Sequence, residues 1–147
     1  MARARPPDWF VRAFSAWHRG VLWISRGRLL NRYRGGKILL LTTIGRKTGK
    51  ARTWPLLYLD EGDGFVVVGS NGGDDRDPAW VLNLKADSTA MVSVEGRDVK
   101  VRARTATGTE RSEWWEKFVA ANDGYADYAR ATDREIPVVM LEPVGRP

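Results

Sequence analysis

The sequence predicts an α+β protein built on an antiparallel β-barrel of about six strands. Three observations predict it. Six short runs of apolar and β-branched residues recur, near 37–44, 52–59, 64–69, 89–95, 98–105 and 136–141. Most of them are joined by short, glycine-bearing turns of hairpin type, too brief for the crossover that a parallel pair requires. The helical patterns between the runs are few and short, so a doubly wound parallel sheet does not fit. At 147 residues the chain makes one domain, with enough length to bury a real core.

Taken in order, residues 1–7 form a loose basic tail ending in Pro6-Pro7. Asp8 is placed as an N-cap, and Phe10, Phe14, Trp17, Val21 and Ile24 then recur at spacings of four and three. That pattern predicts an amphipathic helix of about five turns. A basic linker runs from Arg26 to Gly36. The strands near 37–44, 52–59 and 64–69 follow, the last two joined through Asp60-Glu61-Gly62-Asp63-Gly64. Ser70 to Arg76 is too polar and glycine-rich for regular structure. Asp77 reads as the N-cap, and Pro78 as the first residue, of a short helix carrying Trp80, Val81 and Leu84 to about Ala86. The runs at 89–95 and 98–105 alternate around Gly96-Arg97, the best hairpin signal in the chain. Thr107 and Glu110 fit a capping box for a helix through Trp114, Trp115, Phe118 and Val119 to Ala121. Asn122-Asp123-Gly124 breaks it, Tyr125 to Ala131 forms another short helix, and Ile136 to Leu141 is the last strand, where Pro137 marks an edge or a strand start.

Composition narrows the chemistry. There is no cysteine, which excludes disulfides and thiolate metal sites, and the single His18 excludes any metal site needing two imidazoles. No stretch approaches the roughly 20 apolar residues that span a bilayer, and no signal-peptide pattern opens the chain, so a cytoplasmic location is the default expectation. The net charge of +6 is unevenly spread. Residues 1–52 hold 13 Lys/Arg against one acid, Asp8, while the remainder is mildly acidic. A basic front of this kind calls for an anionic partner: a phosphate-bearing small molecule, a nucleic acid or an acidic membrane.

The densest part of that front is the loop Gly45-Arg46-Lys47-Thr48-Gly49-Lys50-Ala51-Arg52, between two strand runs. It is no P-loop: the two glycines enclose three residues instead of four, Lys50 is followed by alanine, and no helix follows. Arg46, Lys47, Lys50 and Arg52 with turning glycine amides still make an anion clamp. The plainer reading is a solvated hairpin turn. Gly69-Ser70-Asn71-Gly72-Gly73 could bring backbone close to a flat ligand, or be merely a flexible loop. Tyr125 and Tyr128, one turn apart, could donate hydrogen bonds to negative charge developing on a substrate oxygen, or be amphipathic core edges. The N-terminal helix, with Trp9, Trp17 and Trp23 among arginines, suits either packing on the barrel or a membrane interface.

In this order and spacing, Leu39-Leu40-Leu41-Thr42-Thr43-x-Gly45-Arg46-Lys47-Thr48-Gly49-x-x-Arg52, Pro55-Leu56-Leu57-Tyr58, Val66-Val67-x-Gly69-Ser70-x-Gly72-Gly73, Asp77-Pro78-Ala79-Trp80 with Asn83-Leu84, Tyr125 and Tyr128, and Ile136-Pro137-Val138 resemble the deazaflavin (F420)-dependent nitroreductase family of actinobacteria. The resemblance covers about residues 36–143 and implies a split β-barrel fold. It implies that Arg46, Lys47 and Arg52, with Lys50 beside them, grip the phosphate and polyglutamate tail of F420. Pro55, Leu56 and Leu57 would line the deazaflavin ring. Gly69, Ser70, Asn71, Gly72 and Gly73 would lie near that ring, with Asp75, Arg76, Pro78 and Trp80 close to it. Ser70, Tyr125 and Tyr128 would act on the acceptor. The implied activity is hydride transfer from F420H2 to a small electron-poor acceptor such as a quinone or nitroaromatic. Asn71 stands where a lysine is frequent, and Asn122 where a well-known member has a further tyrosine, so activation of bicyclic nitroimidazoles is not implied. The alternatives are a split-barrel protein binding FMN or haem, or a basic module for membrane or nucleic acid. On the leading reading no nucleic acid is bound, residues 1–30 are the candidate contact with anionic membrane, and the oligomeric state is open.

Overall fold

The computed structural model describes residues 37–144. The predicted tail, amphipathic helix, linker and His18, and with them the candidate membrane contact through residues 1–30, lie outside the described residues. Within them the order is β1 (Lys37–Ile44), β2 (Ala51–Glu61), β3 (Gly64–Val68), a single 3-10 turn (Asn71–Gly73), α1 (Ala79–Ala86), β4 (Thr89–Val94), β5 (Arg97–Thr105), α2 (Gly108–Ala121), α3 (Gly124–Ala131) and β6 (Val138–Pro143).

The six strands close into an antiparallel barrel in the order β1-β2-β3-β6-β5-β4. This is the split β-barrel that the resemblance implies. The period-two pattern of the sequence explains its interior: β4 alternates between partly and fully buried positions along its whole length. Leu39, Leu41, Phe65, Val67, Val92, Val101, Val139 and Leu141 point inward and pack together with Trp80, Val81 and Leu84 of α1. Outside the barrel, Val66 and Val68 of β3 and Val138 and Met140 of β6 pack against Phe118 of α2, Tyr125 of α3 and Ile136. Thus β3 and β6 are buried on both faces, which is why Phe65-Val66-Val67-Val68 and Val138-Val139-Met140-Leu141 read as unbroken apolar runs.

The barrel is split along β2. All eight residues of β1 pair with β2, from Lys37↔Tyr58 to Ile44↔Ala51. On its other side β2 meets β3 only at Leu59, Asp60 and Glu61. The stretch Ala51–Tyr58 therefore has one strand neighbour, a setting in which a sheet tolerates Pro55.

Several local expectations are corrected. The hairpin between β4 and β5 turns at Glu95-Gly96, since Val94 pairs with Arg97. Both turn residues have positive φ, 48° and 76°, as a two-residue hairpin of the right twist requires. Asp77 does not cap α1. Pro78 is the capping residue, and the Asp77 carboxylate is taken by Arg134 at 2.8 Å and Lys85 at 3.3 Å. The capping box of α2 does not form: Thr107 makes no side-chain cap bond. Glu110 is instead held by both terminal nitrogens of Arg104, at 2.6 and 3.1 Å, which keeps its carboxyl below the usual range. Finally, β6 is no edge strand, because it pairs with both β3 and β5. Pro137 marks its start. None of the described helices is long and apolar enough to cross a membrane.

Candidate functional site

The basic loop is a compact turn between β1 and β2. Gly45 donates its amide to Lys50 O and Gly49 donates to Gly45 O, each at 2.8 Å. The loop needs its glycines: Gly49 has φ of +69°, and a Cβ on Gly45 would lie 2.7 Å from Thr48 Oγ1. This tightness leaves the side chains of Arg46, Lys47, Lys50 and Arg52 exposed. Among the described residues no carboxylate pairs with any of the four. Arg46, Lys47 and Arg52 line an open cleft of about 470 Å³ whose remaining wall includes Thr53, Trp54, Ala79 and Asn83. Lys50 does not line it.

The far wall of the cleft is α1, and here the structure corrects one expectation. Trp80 is 2% exposed and packed among the inner core residues, so it belongs to the barrel interior. The α1 residues facing the cleft are Ala79 and, one turn on, Asn83. Asn83 is buried, and its side chain makes three hydrogen bonds to two residues. Its Oδ1 accepts from the Arg46 backbone N–H at 3.1 Å and from a guanidinium nitrogen of Arg46 at 3.2 Å, while its Nδ2 donates to Thr43 Oγ1 at 3.0 Å.

Beyond Thr53 and Trp54, strand geometry sorts the three predicted ring residues. Leu56 packs against the inner core and Leu57 against the outer one. By the two-residue period Pro55, which is exposed, shares Leu57's side of the strand. One face of β2 can therefore offer Pro55 and Leu57 to a flat ligand, but not Leu56 with them.

The loop Gly69 to Asp77 is tied to its surroundings at several points. Gly69 donates to Pro137 O at 2.9 Å, and a Cβ there would come within 2.7 Å of Val81 Cγ2 and 2.9 Å of Pro137 Cγ. Gly73 has φ of +85°, and a Cβ on it would meet Ala131 Cβ at 3.0 Å and the Tyr128 backbone at 3.3 Å. Both glycines are thus filled by protein neighbours, not held open for a ligand. Ser70 is half-buried, and Asn71 and Gly72 are exposed, so these three are the positions left to face a guest. Asn71 sits at φ of 47°, which an Asn tolerates, and its Nδ2 donates to Arg76 O at 3.0 Å. Asp75 accepts from Thr132 Oγ1 at 2.8 Å. The Arg76 side chain extends into solvent, 88% exposed, and Pro78 is buried.

One residue organises this loop, and sequence reasoning did not find it. Arg134 donates to Asp74 O at 2.8 Å, Gly69 O at 3.2 Å, Ser70 O at 2.9 Å and Asp77 Oδ1 at 2.8 Å. Its only local signal is an arginine in a short polar link before an apolar strand, which is common. Asn83 carried a better one: a polar residue on the apolar face shared by Trp80 and Leu84.

Tyr125 and Tyr128 lie together on α3, with ring centroids 5.9 Å apart and edge to face. Tyr125 is buried against Phe118 and Trp115. Burial, with a smaller contribution from Tyr128, pushes its phenol up to about 12. It remains a neutral O–H donor at any ordinary pH. The structure therefore brings the predicted residues together in two groups. Arg46, Lys47 and Arg52 meet at the cleft, while the Ser70 loop meets α3 at Tyr128. Helix α1 lies between them, joined to the first through Asn83 and to the second through Asp77.

Comparison with known proteins identifies relatives of this chain. Residues 16–143 match the model of a family described as F420H(2)-dependent quinone reductase. An F420H(2)-dependent quinone reductase of Mycobacterium tuberculosis is 35% identical over 136 residues, covering 89% of this chain and 88% of its own. Among solved structures, an F420-H2 dependent reductase, FDR-A, is 40% identical with a TM-score of 0.66, over 71% of this chain and 93% of its own. Another solved structure, described only as a domain-swapped dimer, is 34% identical with a TM-score of 0.68, over 94% of this chain and 100% of its own.

Proposed function

This chain belongs to the family of F420H(2)-dependent quinone reductases, and from that premise we propose that it reduces a quinone-type acceptor with hydride from F420H2. The observation that carries the reading is the cleft beside the basic turn: three cations with no carboxylate partner among the described residues, around about 470 Å³ of open space. Like charges held this closely repel one another unless an anion joins them. F420 is a polyanion, and its phosphate and glutamate tail is such a partner. The residues present fit the group. Arg46, Lys47 and Arg52 would hold the anionic end, and Pro55 and Leu57, on the singly paired stretch of β2, would lie under the ring.

When bound, the reduced deazaflavin supplies a hydride. The protein needs no nucleophile for such a transfer, only orientation and stabilisation of charge on the acceptor. Ser70 Oγ, the neutral phenol of Tyr125 and the hydroxyl of Tyr128 are the donors for a quinone oxygen that gains negative charge as hydride arrives. The Arg134 bonds hold Ser70 in place, and burial of Tyr125 fixes its ring. A quinone accepting one hydride then takes one proton, leaving as the quinol. The described residues act as one F420-binding domain.

Titration of the purified full chain with F420, followed by the cofactor's fluorescence, tests the reading. Saturable binding at micromolar or lower concentration is expected, with loss of F420H2 absorbance on adding a benzoquinone or naphthoquinone. A folded protein that neither binds F420 nor oxidises F420H2 overturns it.

A further inference from the structure

We propose that Asn83 is a positioning residue that sets Arg46 as an uncompensated cation toward the anionic end of the cofactor, an inference that rests on the F420 reading above. A buried asparagine on a helix that otherwise contributes Trp80, Val81 and Leu84 to the core needs a reason, since an unsatisfied buried amide is costly. Here all three of its bonds run to the two strands' basic turn or its base. The orientation of the amide follows from its partners: two N–H donors of Arg46 require an oxygen, and Thr43 Oγ1 stands 3.0 Å from the nitrogen. Thr43 itself is wholly buried and pairs across the ladder with Arg52, a second cation of the cleft.

The chemical choice of an amide is the informative part. A guanidinium is most often fixed by a carboxylate, which gives shorter and stronger bonds. An aspartate at this place would hold Arg46 as firmly, but would cancel its charge within the cleft. The neutral Oδ1 fixes both the backbone and the side chain of Arg46 and leaves the full positive charge, with the remaining guanidinium donors, for a guest. Backbone anchoring at the same atom ties the loop's first cation to α1, so its direction is set before any ligand arrives. Such prior ordering removes part of the cost of immobilising a long side chain on binding.

The test compares F420 with its tail-less deazaflavin alcohol, which carries the same ring and no phosphate or glutamate. Full-length Asn83→Asp should bind F420 about tenfold or more weakly, with a shallower dependence on salt, and bind the tail-less compound within about twofold of the wild type. Asn83→Ala should weaken F420 binding about three- to tenfold, and this loss should vanish in an Arg46→Ala background, because Asn83 acts through Arg46. Equal losses for F420 and the tail-less compound would overturn the inference, as would an Asn83→Ala effect that persists without Arg46. A wild type that binds F420 while every Asn83 variant binds equally well overturns this inference alone. A wild type that does not bind F420 overturns the functional reading together with it.

Discussion

Replacing Arg134 with methionine should loosen the proposed acceptor side of the site while sparing the proposed cofactor clamp. The arginine side chain is 15% exposed and makes four hydrogen bonds, three to backbone carbonyls of the Gly69–Asp74 segment and one to Asp77. Methionine preserves much of the stem's packing and removes all four donors. At about 1 kcal/mol net for each bond the loss approaches ~4 kcal/mol. Two features reduce it. Asp74 is exposed and Ser70 half-buried, so water can reach their carbonyls, and Asp77 keeps Lys85 at 3.3 Å. The expected destabilisation is then about 2–4 kcal/mol, a fall in Tm of roughly 5–15 °C for a domain of this size. Thermal unfolding by circular dichroism measures it. The functional consequence is selective. Ser70 loses its anchor, so turnover of F420H2 with a quinone should fall at least tenfold, at a temperature where the variant is folded. F420 affinity should change less than twofold, because Arg46, Lys47 and Arg52 depend on α1 and the β1–β2 turn. Unchanged Tm and turnover would refute the claim that Arg134 organises the loop. Equal losses of F420 affinity and turnover would refute the separation of the two groups.

Three further outcomes are expected. Lys47→Ala and Arg52→Ala should each weaken F420 binding by about tenfold at low salt and by less at 0.5 M salt, as screening of an exposed ionic contact requires; fluorescence titration at the two salt concentrations decides it. Gly69→Ala should destabilise the fold by about 1–3 kcal/mol in urea unfolding, because the added Cβ meets Val81 and Pro137 at 2.7 and 2.9 Å. An alanine that costs nothing there would mean the loop has room to shift. Tyr125 gives a pH signature. Its folded phenol stays protonated up to about 12, while in the unfolded chain it ionises near the ordinary value of 10.0. Between these values only the unfolded state loses the proton, so stability is full below pH 10 and falls as pH rises toward 12, by on the order of 1 kcal/mol per pH unit. Tyr125→Phe should remove that slope in urea titrations at pH 9 to 11, and should lower quinone turnover at pH 7, where the lost hydroxyl is the only change.

The sequence by itself determined the strand set and the barrel class, because both rest on period-two patterning and on turns, which are local. Each of the six predicted runs became a strand, and β1 kept its limits at Lys37 and Ile44. It also determined the charge of the turn: four cations are legible there whatever the fold, while only the structure shows that Arg46, Lys47 and Arg52 line one cleft and Lys50 does not. Local chemistry misled where a long-range partner won. Asp77 and Glu110 are good N-terminal residues in isolation, yet arginines placed by the barrel took both carboxylates. Gly69 and Gly73 read as openings for a ligand, and only packing showed Pro137, Val81 and α3 in the space a Cβ would fill. Trp80 and Leu56 were expected near the ring from the family resemblance, and the helix face and strand parity turned them toward the core. The two residues that set the site's geometry, Asn83 and Arg134, act on partners 37 to 65 residues away. Such pairings exist only once the barrel has closed, because closure alone brings α1 against the basic turn and the link before β6 against the loop after β3.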